Sequence, residues 1–85
     1  MKATVLVRPK QGILDPQGEA VHNSLSQLGF AVGDARVGRV VDLELETSDA
    51  TEARAELERM CEQLLANPLI ESYEIELRES AENPE

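Results

Sequence analysis

Among side chains able to do covalent or acid–base chemistry, the sequence offers one histidine, His22, and one cysteine, Cys61. His22 falls on the polar side of a helical pattern, with no Ser or Cys placed beside it as a nucleophile. Cys61 sits inside an apolar stripe, where a core thiol is expected; a reactive one needs an exposed electropositive setting. Asp42, Glu44, Glu46, Glu74 and Glu76 lie on the polar side of two alternating segments. General acid–base pairs need a cleft that shifts their pKa, so these five read as a solvated acidic sheet face. Basic residues on the outward side of the first strand offset part of their repulsion. The chain shows no Cys/His cluster, no calcium loop, no phosphate loop and no dinucleotide fingerprint. No catalytic, cofactor or metal residue is therefore assigned, and the chain is not read as an enzyme by itself.

The elements that would position these groups are clear from periodicity. Residues 2–9, "KATVLVRP", form a first strand, with Ala3, Val5 and Val7 on one face and Lys2, Thr4, Leu6 and Arg8 on the other. Asp15 is an N-cap, with Pro16 at the first helical position. Ala20, Val21, Leu25 and Leu28 repeat at helical spacing up to a Gly29 C′ stop, where Phe30 can fold back on the last turn.

Residues 35–46, "ARVGRVVDLELE", alternate as a long strand, or fold as a hairpin near Gly38. Arg39 lands on its apolar side, and Gly38 is expected to mark a bulge that turns Arg39 outward. Asp49 and Glu52 form a capping box for a second helix. Its stripe runs through Ala53, Leu57, Met60, Cys61, Leu64 and Leu65, and Asn67-Pro68 ends it. Residues 70–78 form the last strand, with Tyr73, Ile75 and Leu77 facing in.

The expected fold is α+β, an α/β sandwich in the order β-α-β-α-β. Its antiparallel sheet is covered on one face by two helices, a relative of the ferredoxin-like plan. That plan needs a fourth strand, so the sheet is expected to be extended by dimerisation. Residues 1–78 make a single domain and residues 79–85 a charged, flexible tail.

With 85 residues, the chain buries only roughly 60–65% of the surface its unfolded form exposes. One cysteine permits no internal disulfide, which leaves self-association as the route to extra stability. Seventeen acidic against eight basic residues give a formal charge of −9, which disfavours nucleic acid. Phe30 and Tyr73, the only aromatics, cannot make a base-stacking platform. No signal peptide or membrane-length apolar run is present, and a soluble cytoplasmic protein is expected.

What remains are features that stability does not require. Gly18, in a helix's first turn, costs up to ~1 kcal/mol against Ala; Gly12, Gly38 and Arg39 are similar oddities. Such departures mark places where an interface or ligand sits. The segments "VRPK", "GILDPQGEAV", "LGF", "RVGRVVDLELE" and "MCEQLLANPLIESYEIEL" together resemble the PurS family over residues 2–78.

The resemblance implies the small subunit of phosphoribosylformylglycinamidine synthase. That enzyme converts formylglycinamide ribonucleotide, glutamine and ATP into formylglycinamidine ribonucleotide, glutamate, ADP and phosphate. It further implies a non-catalytic homodimer or higher oligomer that joins a glutaminase to a large synthetase and supports ammonia transfer. ATP and Mg would be used by the synthetase, none being bound here.

On the same ground Asp15, Pro16, Gln17, Gly18, Arg36, Gly38, Arg39, Asn67 and Pro68 are candidate partner contacts. Gly18 would let a partner's backbone approach. The alternative is a free-standing ACT-like or ferredoxin-like dimer that binds an anionic effector at the Gln17 and Gly18 amides, with Lys10 nearby.

Overall fold

The computed structural model describes residues 1–79. The tail expected beyond that point lies outside the described residues. Three strands, β1 (Lys2–Pro9), β2 (Arg39–Glu44) and β3 (Glu71–Arg78), form one sheet with β1 in the middle. Both neighbours run antiparallel to it. The helices are α1 (Pro16–Gln27) and α2 (Ala50–Met60), the latter continuing into one π-helical turn, Cys61–Leu65.

Strand parity sets the core. Val5 pairs with Val41 and Ile75, and Ala3 with Leu43 and Leu77, so one face of the sheet is apolar across all three strands. Ala53, Leu57 and Cys61 from α2 close over it, each fully buried with Ala3, Val5 and Val7. The opposite face carries Thr4, whose hydroxyl donates to Asp42 at 2.8 Å, and Arg8, which lies 3.6 Å from Glu74.

Both helices and the three antiparallel strands are as the periodicity predicts; the sheet is covered by α2 alone. No α1 side chain joins the core cluster, and Val21, Leu28 and Phe30 stay exposed. The single chain is accordingly flat, 47 × 33 × 15 Å, with a radius of gyration of 16.2 Å. A compact chain of this length has a radius of about 12 Å.

α1 ends as expected in a Schellman motif. Gly29 has φ 97°, Phe30 N–H donates to the Leu25 carbonyl (3.0 Å), and Gly29 N–H to that of Ser26 (3.1 Å). Phe30 nevertheless remains 60% exposed.

Residues 35–46 form neither the long strand nor a hairpin. Pairing with β1 covers Arg39–Glu44 and is prolonged by Met1 and Leu45, which exchange backbone hydrogen bonds of 2.7 and 3.0 Å. Two contacts with other parts of the chain keep residues 35–38 out of the sheet. The Val37 N–H is taken by the Asp15 carboxylate at 3.0 Å. Gly38 passes so close to β1 that a Cβ would overlap the Val7 carbonyl oxygen.

Three smaller expectations also change. Asp49 caps α2 as expected, accepting from Thr51 and Glu52 N–H. The Glu52 carboxylate, however, accepts from the Thr47 hydroxyl, and that hydroxyl accepts the Asp49 N–H, so the box closes through Thr47. Ile70 falls in the turn before β3, donating to the Asn67 carbonyl. Leu64 leaves the apolar stripe and is 81% exposed, because the π-turn adds a residue to that turn of helix.

Candidate functional site

The β1 register brings most of the sequence-derived candidates to one end of the molecule. Val7 pairs with Arg39 and Pro9 with Glu71, so the end of β1 and the starts of β2 and β3 lie together. The loop leaving β1 leads to the start of α1, and the π-turn leads to the start of β3. Two clusters result.

The first is built on Asp15. Its Oδ1 accepts the Gly18 N–H and its Oδ2 the Val37 N–H, both at 3.0 Å, so one carboxylate ties the start of α1 to the segment before β2. These two amides, with the Arg36 charge nearby, hold its pKa below the ordinary carboxylate value. Gly18 is buried, and a Cβ there would overlap the Ala35 carbonyl oxygen and the Asp15 carboxylate. The backbone that comes close to Gly18 is the chain's own. Pro16, Gln17 and Arg36 are exposed around this contact. A groove of about 500 Å³ runs beside it, lined by Lys10, Ile13, Leu14, His22 and Arg36 among others.

The second cluster is built on Arg39. Gly38 does not turn it outward; Arg39 stays on the core face, at the rim, beyond Val7. Its guanidinium makes a forked pair with Glu71, Nη1 to Oε2 at 2.9 Å and Nη2 to Oε1 at 3.0 Å, and Nη2 also donates to the Leu65 carbonyl at 2.6 Å. Glu71 Oε1 accepts the Asn67 N–H at 2.7 Å. The arginine, and then the Asn67 amide, hold the Glu71 pKa down. Asn67 Oδ1 accepts the Leu69 N–H, and the Pro68 carbonyl accepts Lys10 Nζ at 2.7 Å. Lys10 thus borders both clusters.

Sequence reasoning missed Glu71 as a member of this end, and named Lys10 only for the alternative effector site. A signal for Glu71 was present: it shares the inward parity of Tyr73, Ile75 and Leu77, as Arg39 shares that of Val41 and Leu43. Two opposite charges off-pattern on inward faces are candidates to meet.

Among these groups none is set up as a nucleophile. Cys61 is buried, and burial, followed by the charges of Glu62 and Glu58, pushes its thiol pKa up. His22 Nε2 is bonded to the Val32 carbonyl at 2.8 Å. Tyr73 donates to Glu62 at 3.1 Å, and its pKa is raised by burial and then by that carboxylate. Two donors of the effector-site alternative are engaged within the chain: the Gly18 amide serves Asp15 and Lys10 serves Pro68. Among the described residues, no helix is long and apolar enough to cross a membrane.

Known proteins resemble this chain along nearly its whole length. The family model for PurS, phosphoribosylformylglycinamidine (FGAM) synthase, matches residues 2–79. The phosphoribosylformylglycinamidine synthase subunit PurS of Synechocystis is 45% identical, over 94% of this chain and 81% of its own. That of Bacillus subtilis is 40% identical, over 92% and 93%. The crystal structure of Methanocaldococcus jannaschii PurS superposes with a TM-score of 0.81 at 37% identity, covering 92% of this chain and 95% of that one. A chain of the Thermotoga maritima PurLQS structure does so with a TM-score of 0.80 at 32% identity, covering 88% and 93%. The chain described here belongs to the PurS family, the small subunit of phosphoribosylformylglycinamidine synthase in purine biosynthesis.

Proposed function

We propose that this chain is a non-catalytic adaptor that joins the glutaminase and the ATP-dependent synthetase subunits of phosphoribosylformylglycinamidine synthase and supports transfer of ammonia between them. ATP and Mg belong to the synthetase in this reading. The observation that carries it is the match, along nearly the whole chain, to a protein solved within a PurLQS structure. The state of the reactive groups supports it: the thiol is buried, and the imidazole and phenol are each engaged by the chain's own acceptors.

The adaptor works as a homodimer or higher oligomer. Residues 20–33 contain no Asp, Glu, Lys or Arg in a chain that is 29% charged, and they include the exposed Val21, Leu28 and Phe30. A charge-free apolar helix face that the chain's own sheet does not cover fits a second copy, because like surfaces meet there without charge repulsion. The nine candidate contacts divide by role. Asp15, Gly18, Gly38 and Arg39 shape the end of the sheet through contacts within the chain; Pro16, Gln17, Arg36, Asn67 and Pro68 are exposed for the partner subunits. Size-exclusion chromatography of the three subunits tests this, with co-elution expected for this chain and separate elution counting against it.

A further inference from the structure

We propose that the end of α2 is a two-register element: the π-turn and a regular α-turn exchange Leu65 for Leu64 against the core, and the Arg39–Glu71 pair selects the π register. Phase is the first argument. Leu64 stands seven residues after Leu57 and three after Cys61, so an unbroken α-helix places it over both buried residues. Instead Ala66 N–H donates to the Cys61 carbonyl, five residues back, at 3.0 Å. The turn holds one residue more, Leu64 stands 81% exposed, and Leu65 packs against the core in its place.

The second argument is degeneracy. The two residues that compete for that place are both leucines, so either register supplies the same side chain to the same gap. Volume-conserving exchanges of this kind change core packing least. The choice then falls to polar contacts outside the core.

Those contacts are specific to one register. Arg39 Nη2 holds the Leu65 carbonyl, in the peptide unit before the Ala66 Cα. Glu71 Oε1 holds the Asn67 N–H, in the unit after it. The ion pair therefore pins both peptide planes that flank Ala66. Returning the turn to α geometry rotates the Leu65 carbonyl around the helix axis by about 100°, away from the guanidinium. An event that opens the Arg39–Glu71 pair thus withdraws the exposed Leu64 from the surface without unfolding the helix.

Methyl NMR of the full chain with labelled leucines tests this directly, using Arg39→Ala and the milder Glu71→Gln. In the unmodified chain, cross-peaks to core methyl groups belong to Leu65. Arg39→Ala is expected to transfer them to Leu64, with backbone shifts that stay helical through residues 61–65 and Glu71→Gln showing a mixture. Two results overturn the proposal: Leu65 keeps the core cross-peaks in both variants, or residues 61–65 move to random-coil shifts without Leu64 entering. If Arg39→Ala does not fold, Glu71→Gln alone decides by the same two criteria.

Discussion

Gly18, in the first turn of α1, lies against the carbonyl oxygen of Ala35, the residue that leads into the segment held by Asp15. Helix propensity alone favours replacing it by Ala, by up to ~1 kcal/mol. Packing opposes the change, because the Ala35 oxygen is backbone and cannot swing aside. Gly18→Ala is expected to destabilise the chain by about 1–3 kcal/mol, read as a lower urea midpoint at unchanged slope. Gly33→Ala, where an added Cβ meets nothing within 4 Å, is the control and should stay within about 0.5 kcal/mol. A stabilised Gly18→Ala would show that the contact does not constrain the helix.

Acid should loosen the same end of the molecule. The folded-state pKa values of Asp15 and Glu71 are both depressed, Asp15 chiefly by the Gly18 and Val37 amides and Glu71 chiefly by Arg39. A depressed carboxylate contributes stability that is fully present above its unfolded pKa, about 4, and is lost as pH falls through the folded value. Thermal midpoints between pH 7 and 3 should therefore fall below about pH 4 from these groups. Asp15→Asn and Glu71→Gln should each make that fall shallower. An unchanged acid slope in both variants would remove these carboxylates from the account. Salt screening of the exposed Arg39–Glu71 pair keeps its share small.

The thiol of Cys61 gives a separate test of the core. Buried among Ala53, Leu57 and the β1 valines, it should resist a disulfide-exchange reagent in the native protein at pH 8 and react promptly in urea. Fast labelling without denaturant would mean that α2 opens readily from the sheet. Cys61→Ser places a hydroxyl in the same apolar site and is expected to cost about 1–3 kcal/mol, measurable by the same urea titration.

The proposed self-association places α1 against a second copy. A charge placed on its exposed apolar face, as in Leu28→Glu, touches no member of the core cluster and should leave the monomer fold intact. Sedimentation is expected to show the unmodified chain as an oligomer and this variant shifted toward monomer. An unmodified chain that sediments as a monomer throughout would contradict the assignment of this face to a second copy.

Legibility in the sequence tracks how local each cause is. The Asp15-Pro16 start and the Gly29-Phe30 stop of α1 act within a turn or two, and both were readable. So were β1 and most of β3, because alternation reports a half-buried face directly. The length of β2 was not, since it depends on the Val37 amide being claimed by Asp15 from a distant segment, and on Gly38 abutting Val7. The Arg39–Glu71 pair spans β1, so no window along the chain contains both. Leu64 shows a third kind of limit: the stripe was periodic, but a π-turn changed the period where it ended. Most of the candidate residues were named from a resemblance, and only the register of the sheet brings them to one end.

The most direct test of the adaptor reading is glutamine-dependent formation of formylglycinamidine ribonucleotide by the glutaminase and synthetase subunits, with and without this chain, alongside ammonium-dependent turnover by the synthetase alone. The account predicts that ammonium supports turnover without the chain, and that glutamine supports it only when the chain is added. Equal glutamine-dependent rates in its presence and absence would contradict the account.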